Sequence, residues 1–282
     1  MSQTSDLKPG LYIVATPIGN LGELSPRAAD ILARASAIAV EDSRVTATLM
    51  RHIGAKRPMI PYHDHNADQM RPELLNRLSS EAIALVSDAG TPLISDPGFK
   101  LVREARAAGH YVTTISGPCA AIAALTVAGL PTDRFMFAGF LPAKALARET
   151  ELAELAGIRA TLIFYESPHR LAATLAAMAT VLGDREAAVT RELTKKFEEV
   201  VTGRLGELAI RYAESQPKGE IVLVVGPPAE APPPSADDLD ALLLDRLATL
   251  SVKDAAAAVA ESLNLPRKQV YERALLLKDR KN

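Results

Sequence analysis

Short apolar runs, each followed by room for one helix, dominate the first half of the chain. Residues 11–15, 37–40 and 82–86 are built from Ile, Val, Leu, Ala and one Tyr, and 111–115 adds β-branched Val, Thr and Ile. Between them the pattern turns helical. Ser25 is placed to cap a helix that Pro26 opens, residues 46–53 continue the pattern, and Gly109 ends a helix over 99–108. Such alternation predicts βαβ units, a largely parallel sheet and an α/β fold.

The second half has another rhythm. Strands are expected at 135–140, 161–165, 186–190, 196–202 and 220–225, with helices at 148–156, 168–182 and 205–212. Gly and Pro break the pattern at 129–132. The division expected is therefore an N-terminal α/β domain over 1–130 and a second α/β domain over 131–227. A proline-rich linker opens the remaining segment, 228–282, where two helices over 251–263 and 266–277 have helix–turn–helix spacing.

Composition excludes several classes. The chain has 282 residues and one cysteine, Cys119, so an internal disulfide framework is ruled out and a reducing cytoplasm is expected. No Cys/His cluster has zinc spacing, so no metal is expected. No apolar run approaches the roughly 18 residues of a membrane span, and residues 1–9 are polar, unlike a signal peptide. Net charge is −2, so contact with nucleic acid must come from a local basic surface. Between 264 and 282, six basic residues (Arg267, Lys268, Arg273, Lys278, Arg280, Lys281) stand against two acids, which suits a phosphate grip or merely a solvated helix face.

The strongest motif is Ser-Asp-Ala-Gly-Thr-Pro-Leu-Ile-Ser-Asp-Pro-Gly at 87–98. It leaves an apolar strand and enters a helix, the place where parallel sheets bind ligands. Asp88 and Asp96 can accept hydrogen bonds from a ligand or simply cap turns. The Ser116-Gly117-Pro118-Cys119 junction offers free N–H groups and small residues, and there Cys119 reads more readily as a small buried hydrophobe than as a nucleophile. The loop after the first strand, 15–22, has the position of a phosphate-binding turn but not its glycines, so alone it reads as a plain turn. Further polar strings follow strands at 41–44, 62–66, 164–170 and 191–196. The last two could face the first domain across a cleft.

Together these strings resemble the ribosomal RNA small-subunit methyltransferase I family, within the tetrapyrrole (corrin/porphyrin) methylase fold. The resemblance covers about residues 10–226, and the 87–98 and 164–170 strings carry most of it. It implies two α/β domains with S-adenosylmethionine between them, usually in a homodimer, and methylation of a cytidine 2′-oxygen in the decoding region of 16S rRNA within the small ribosomal subunit. It places the cofactor against Pro17, Ile18, Asp88, Ala89, Gly90, Ile94, Ser116, Pro118 and Cys119. Phe164, Tyr165, Thr190 and Gly219 would close the cleft from the second domain. A general base would come from Glu41, Asp42 or His63, their order left open, and RNA contacts from Arg44, His65, Arg267, Lys268 and Arg273. Ser43, Asp64 and Ala67 depart from the commoner Thr, Glu and acidic residue, which removes any role for an acid at 67. A same-fold methylase acting on a tetrapyrrole or a protein side chain, and a non-catalytic RNA-binding protein, remain the alternatives.

Overall fold

The computed structural model describes residues 7–229, 235–263 and 265–279. Residues 1–228 form one compact unit and 229–282 a second.

The first sheet of the large unit contains β1 (Gly10–Val14), β2 (Ala37–Val40), β3 (Met59–Pro61), β4 (Ala82–Leu85) and β5 (Val112–Ile115), in the order β3-β2-β4-β1-β5. Every pairing is parallel. The crossovers carry α1 (Pro26–Arg34), α2 (Ser43–His52), α3 (Ala67–Arg77) and α4 (Phe99–Ala107). Both faces of the central strands are covered, one by α1 and α2 side chains and the other by α3 and α4, so β2 and β4 are apolar throughout. The Ser25 hydroxyl accepts from the Ala28 N–H, and Pro26 occupies the first turn of α1, as the sequence suggests.

The strand order decides where a ligand can go. The connection from β1 runs past β4 to β2, whereas the connection from β4 crosses β1 to reach β5. Adjacent strands whose connections leave in opposite directions open a crevice at their carboxyl ends. The 15–22 and 87–98 loops both emerge there.

The second sheet holds β6 (Phe135–Phe140), β7 (Thr161–Glu166), β8 (Glu186–Arg191), β9 (Glu199–Arg204) and β10 (Ile221–Val225), in the order β6-β7-β10-β8-β9. Only β6 and β7 run parallel; β10–β7, β10–β8 and β8–β9 are antiparallel, unlike the first sheet. One face packs on α6 (Ala145–Leu155), α7 (Leu171–Leu182) and α8 (Leu205–Glu214). The opposite face packs on α5 (Ala120–Val127), the helix that follows the first sheet, together with Ile18 from the loop after β1. Ala121 and Ala124 of α5 are small enough to bring its axis close to β7 and β10. A larger residue at Ala124 would overpack this seam at a cost of about 1–3 kcal/mol. This shared core joins the halves divided at 129–132 into one compact unit.

In the second unit α9 (Ala236–Leu247), α10 (Val252–Leu263) and α11 (Arg267–Asp279) enclose a small core of Leu243, Ala256, Val259, Val270 and Ala274. Helix α9 adds to the two expected from the sequence. Its start is marked by a capping box, with Ser235 Oγ accepting from Asp238 N at 3.1 Å.

Candidate active site

Three loops at the carboxyl ends of β1, β4 and β5 are fastened to one another. Thr16 N donates to Gly90 O at 2.8 Å and Gly90 N returns to Thr16 O at 3.1 Å. Thr91 Oγ1 donates to Pro118 O at 2.9 Å, tying the 87–98 loop to the turn before α5. Within that loop Leu93 and Ser95 take left-handed backbone angles, φ 75° and 61°. Each such residue stores about 1–3 kcal/mol of strain, which persists where surrounding contacts over-determine the backbone, typically at functional sites.

The facing wall comes from the second sheet. Tyr165 lies edge-on to Phe137 and Phe140, with ring centroids 4.9 and 5.5 Å away. It packs in the seam with Cys119, and burial first, then Cys119, hold its pKa well above the usual tyrosine value. Two cavities open between the walls. The smaller, about 360 Å³, is lined by Ile18, Ala89, Ala120, Phe140, Tyr165, Gly219 and Val222 among others. The larger, about 530 Å³, is lined by Thr16, Pro17, Asp42, Arg44, Val45, Thr48, Asp88 and Lys195 among others. They share Ile18, Ala89 and Glu220. Both volumes fall in the range of small-molecule sites.

The carboxylates beside the larger cavity divide by environment. Asp42 caps α2, accepting from Arg44 N at 2.8 Å and Arg44 Nε at 3.0 Å, and the guanidinium holds its pKa at about 2. Asp88 accepts from Asp42 N at 3.0 Å. Burial pushes Asp88 upward, and Asp42 adds to the shift. Glu41 is half-buried and lines neither cavity; desolvation first, then the charges of Asp88, Asp96 and Asp64, raise its pKa. Asp96 is raised by burial and by Asp88 and Asp64. Four acids from the ends of β2, β3 and β4 thus share one electrostatic neighbourhood, and Asp42 is set apart from them by its Arg partner.

Of the sequence-derived cofactor residues, the structure gathers Pro17, Ile18, Asp88, Ala89, Tyr165 and Gly219 on the two cavities. Gly90, Pro118 and Cys119 stand directly behind them through the loop ties and the Tyr165 contact. Ser116 is exposed at the end of β5, and Ile94 is 37% exposed on the 87–98 loop, away from the lining of either cavity. Phe164 needs correction. Strand alternation turns its side chain to the far face, where it is fully buried against α6–α8, while Tyr165 takes the cleft side. Thr190 is also corrected: it is on the cleft side but fully buried, its hydroxyl donating to Val222 O at 3.0 Å, so it braces β10 without lining a cavity. His63 and His65 meet edge-on at 5.9 Å, with His65 exposed and the His63 Nδ1 buried without a hydrogen-bond partner. Among the described residues no group of three or more His, Cys, Asp or Glu could hold a metal.

The basic candidates also separate. Arg44 is exposed at the rim of the larger cavity, though paired with Asp42. Arg267 and Lys268 are exposed on the first turn of α11. Arg273 is corrected: both its Nε and its terminal nitrogen bond Asp240 at 2.6 Å, so it clamps α11 to α9 inside the second unit.

Lys195, from the 191–196 string, and Glu220 also line the larger cavity, and nothing in the sequence marks either side chain individually. Lys195 Nζ lies 2.9 Å from both Glu192 Oε1 and Glu220 Oε2. Burial lowers its pKa, but the two carboxylates outweigh this and leave it raised. Its stem crosses Gly19 so closely that any Cβ there would overlap it. Gly219, with φ 96°, is in the same position, since a Cβ added there would lie 2.5 Å from the Glu192 side chain. Composition alone carries no sign of these two approaches.

A parallel sheet with its crevice at the switch point, joined through α5 to a mostly antiparallel second sheet, defines the class of the tetrapyrrole methylases. The family model for Tetrapyrrole (Corrin/Porphyrin) Methylases matches residues 10–209, and that for the RsmI C-terminal HTH domain matches 233–278. The chain is 50% identical over 276 residues to "Ribosomal RNA small subunit methyltransferase I" of Mesorhizobium japonicum, covering 97% of this chain and 94% of that protein. The protein of the same name from Erythrobacter litoralis is 53% identical, with 96% of each chain covered. Among solved structures, uroporphyrin-III C-methyl transferase from Thermus thermophilus, complexed with S-adenyl homocysteine, superposes with a TM-score of 0.54 at 19% identity, over 77% of this chain and 97% of that one. The chain belongs to the ribosomal RNA small subunit methyltransferase I family.

Proposed function

We propose that this protein transfers a methyl group from S-adenosylmethionine to the ribose 2′-oxygen of a cytidine in the decoding region of 16S rRNA, within the small ribosomal subunit. The carrying observation is the pair of cavities that meet at Ile18, Ala89 and Glu220: one site for a donor beside one for an acceptor. The smaller cavity suits the donor. Ile18, Tyr165 and Val222 offer apolar surface to a flat ring, and a side chain at Gly90 would crowd Ile18, its Cβ reaching to 3.3 Å from Ile18 Cγ2. The carboxylates of Glu220, on its lining, and of Asp96, within electrostatic reach of Tyr165, favour a sulfonium cation. When bound, S-adenosylmethionine supplies an already activated methyl group.

The chain itself has to align the acceptor and take its proton. The fastened loops fix the relative placement of the two cavities, and positioning of that kind can lower a barrier by up to about 7–11 kcal/mol. We assign the general base to Glu41, whose neighbour Asp42 lies on the wall of the larger cavity. Its raised pKa brings it nearer to operating pH, where a base accepts a proton most effectively, whereas Asp42, held at about 2 by Arg44, is too weak. The same reading places the protein in the cytoplasm as a homodimer. Supporting a dimer, edge strand β6 exposes Phe135, Met136 and Phe140 beside Leu146, a face unusual for a free sheet edge. No described helix is long and apolar enough to cross a membrane.

The test supplies small subunits lacking the modification, the protein and S-adenosylmethionine labelled in its methyl group. Label is expected in 16S rRNA. Label in an added tetrapyrrole or in ribosomal protein instead, or no cofactor binding by calorimetry, would overturn the reading.

A further inference from the structure

The turn between β8 and β9, residues 192–198, carries three features that the cofactor cleft does not explain. First, its backbone is forced: Glu192 and Thr194 take φ 50° and 66°, neither being glycine. Leu193 between them is buried in the seam core, which anchors the turn. Second, that shape lays Lys195 over Gly19 and delivers its ammonium to the wall of the larger cavity, where it is held by Glu192 and Glu220. The two acids differ. Glu192 also accepts from the Glu220 N–H at 2.9 Å and is largely buried, whereas the Glu220 side chain is 74% exposed. Third, the turn ends in Lys196 and Phe197. Phe197 is 65% exposed, and the Lys196 ammonium sits 5.5 Å from its ring. An aromatic ring left in solvent with Lys196 against it, two residues beyond the Lys195 that lines a cavity, suits neither packing nor a plain salt-bridged turn.

We propose that residues 192–198 form a grip for single-stranded RNA, in which Lys195 takes a phosphate flanking the nucleotide in the larger cavity and Phe197 stacks on a neighbouring unpaired base. The inference rests on the reading of the chain as an RNA methyltransferase and adds the element that holds the strand. Aromatic stacking tolerates any base and phosphate contacts are sequence-blind, so the grip supplies affinity and register. Glu220 is the competitor that the phosphate displaces. Because it is mostly in water, its pairing with Lys195 is weakly held and is readily exchanged for the more concentrated charge of a phosphate.

The test measures binding of a short fluorescent single-stranded oligoribonucleotide and of small ribosomal subunits lacking the modification, across a salt series. Lys195→Ala should lower the slope of log affinity against log salt by about 0.7, one released counterion from a single strand. Phe197→Ala should weaken binding about tenfold or more, with recovery in Phe197→Tyr. Glu220→Gln should tighten binding, because it removes the competitor; a turn that merely straps the two halves together would be loosened by that change. Cofactor affinity by calorimetry should stay at the wild-type value in Phe197→Ala. An unchanged salt slope in Lys195→Ala, weaker binding in Glu220→Gln, or loss of a dimer in Phe197→Ala without loss of RNA affinity would each overturn the grip. Wild-type protein that binds RNA but transfers no methyl would instead refute the function on which the grip rests.

Discussion

Arg170→Leu tests whether the cleft wall is held from behind. Glu166 sits at the end of β7 with its carboxylate only 1% exposed. It accepts from Ser167 N at 2.7 Å and from Thr174 Oγ1 at 2.6 Å. Arg170 Nε lies 3.3 Å from Oε1 without pointing at it, so the two form an ion pair rather than an aligned hydrogen bond. The other end of the guanidinium donates to the carbonyls of Leu141 and Pro142. Removing one partner of a buried pair costs about 3–5 kcal/mol. Arg170 is 28% exposed and Glu166 keeps its two hydrogen bonds, so solvent and those donors offset part of this, leaving about 2–3 kcal/mol. The loss should also reach the cavity. Leu141 follows Phe140, whose ring rests on Tyr165, and a freed 141–142 segment lets that ring drift. Urea denaturation should show the stability loss, and calorimetry a cofactor Kd about tenfold weaker, or about 1.4 kcal/mol. Arg170→Lys, which keeps charge but not the fork, should fall between. A stability change under about 1 kcal/mol together with an unchanged Kd would refute the reasoning.

Glu41→Gln should lower kcat by about 10²- to 10⁴-fold with cofactor Kd unchanged, as measured by single-turnover transfer and calorimetry. It should also raise Tm, because the folded state disfavours this carboxylate. The same shifts in Glu41, Asp88 and Asp96 fix the pH dependence. Their folded pKa values lie above the unfolded values of about 4, so the stability they contribute is complete below that pH and is lost as pH rises through the folded values. Activity runs the opposite way, falling as pH drops through the raised pKa of Glu41; a rate flat with pH down to the ordinary glutamate value of about 4.3 would contradict the base assignment. Gly219→Ala should destabilise by more than about 1 kcal/mol, since φ 96° is strained for alanine and the new methyl meets Glu192; thermal unfolding checks it. Deleting the residues after 234 should weaken RNA affinity and leave cofactor affinity intact, whereas Arg273→Ala should lower the melting temperature of the second unit through loss of its Asp240 clamp.

The first sheet was legible because its central strands are short, apolar and followed by one helix, and because a parallel sheet binds ligands at the same end of every strand. The loops 15–22 and 87–98 could therefore be placed at the site from sequence. Strand direction in the second sheet leaves no comparable trace, and its mostly antiparallel pairing was not anticipated. Phe164 was misassigned for a related reason. The run Leu162, Ile163, Phe164 is apolar without alternation because both faces of β7 are covered, so hydropathy cannot say which side chain faces the cleft. Helix α3 went unread because Pro72 and several charges interrupt it, although Pro72 lies inside it. Strand β9 begins at Glu199 rather than 196 because the left-handed turn at Glu192 and Thr194 uses up the preceding residues. Lys195 and Asp42 show what only coordinates supply: which glycine a side chain lies on, and which carboxylate an arginine has already claimed.

The account stands or falls on where a methyl group appears. Small subunits lacking the modification are incubated with the protein and S-adenosylmethionine, and their 16S rRNA is hydrolysed in alkali and read by mass spectrometry. A methylated 2′-oxygen cannot assist cleavage of its own phosphodiester, so the account predicts one alkali-resistant dinucleotide from the decoding region, beginning with cytidine. Complete hydrolysis with the methyl found on a base, or no methyl at all, would contradict it.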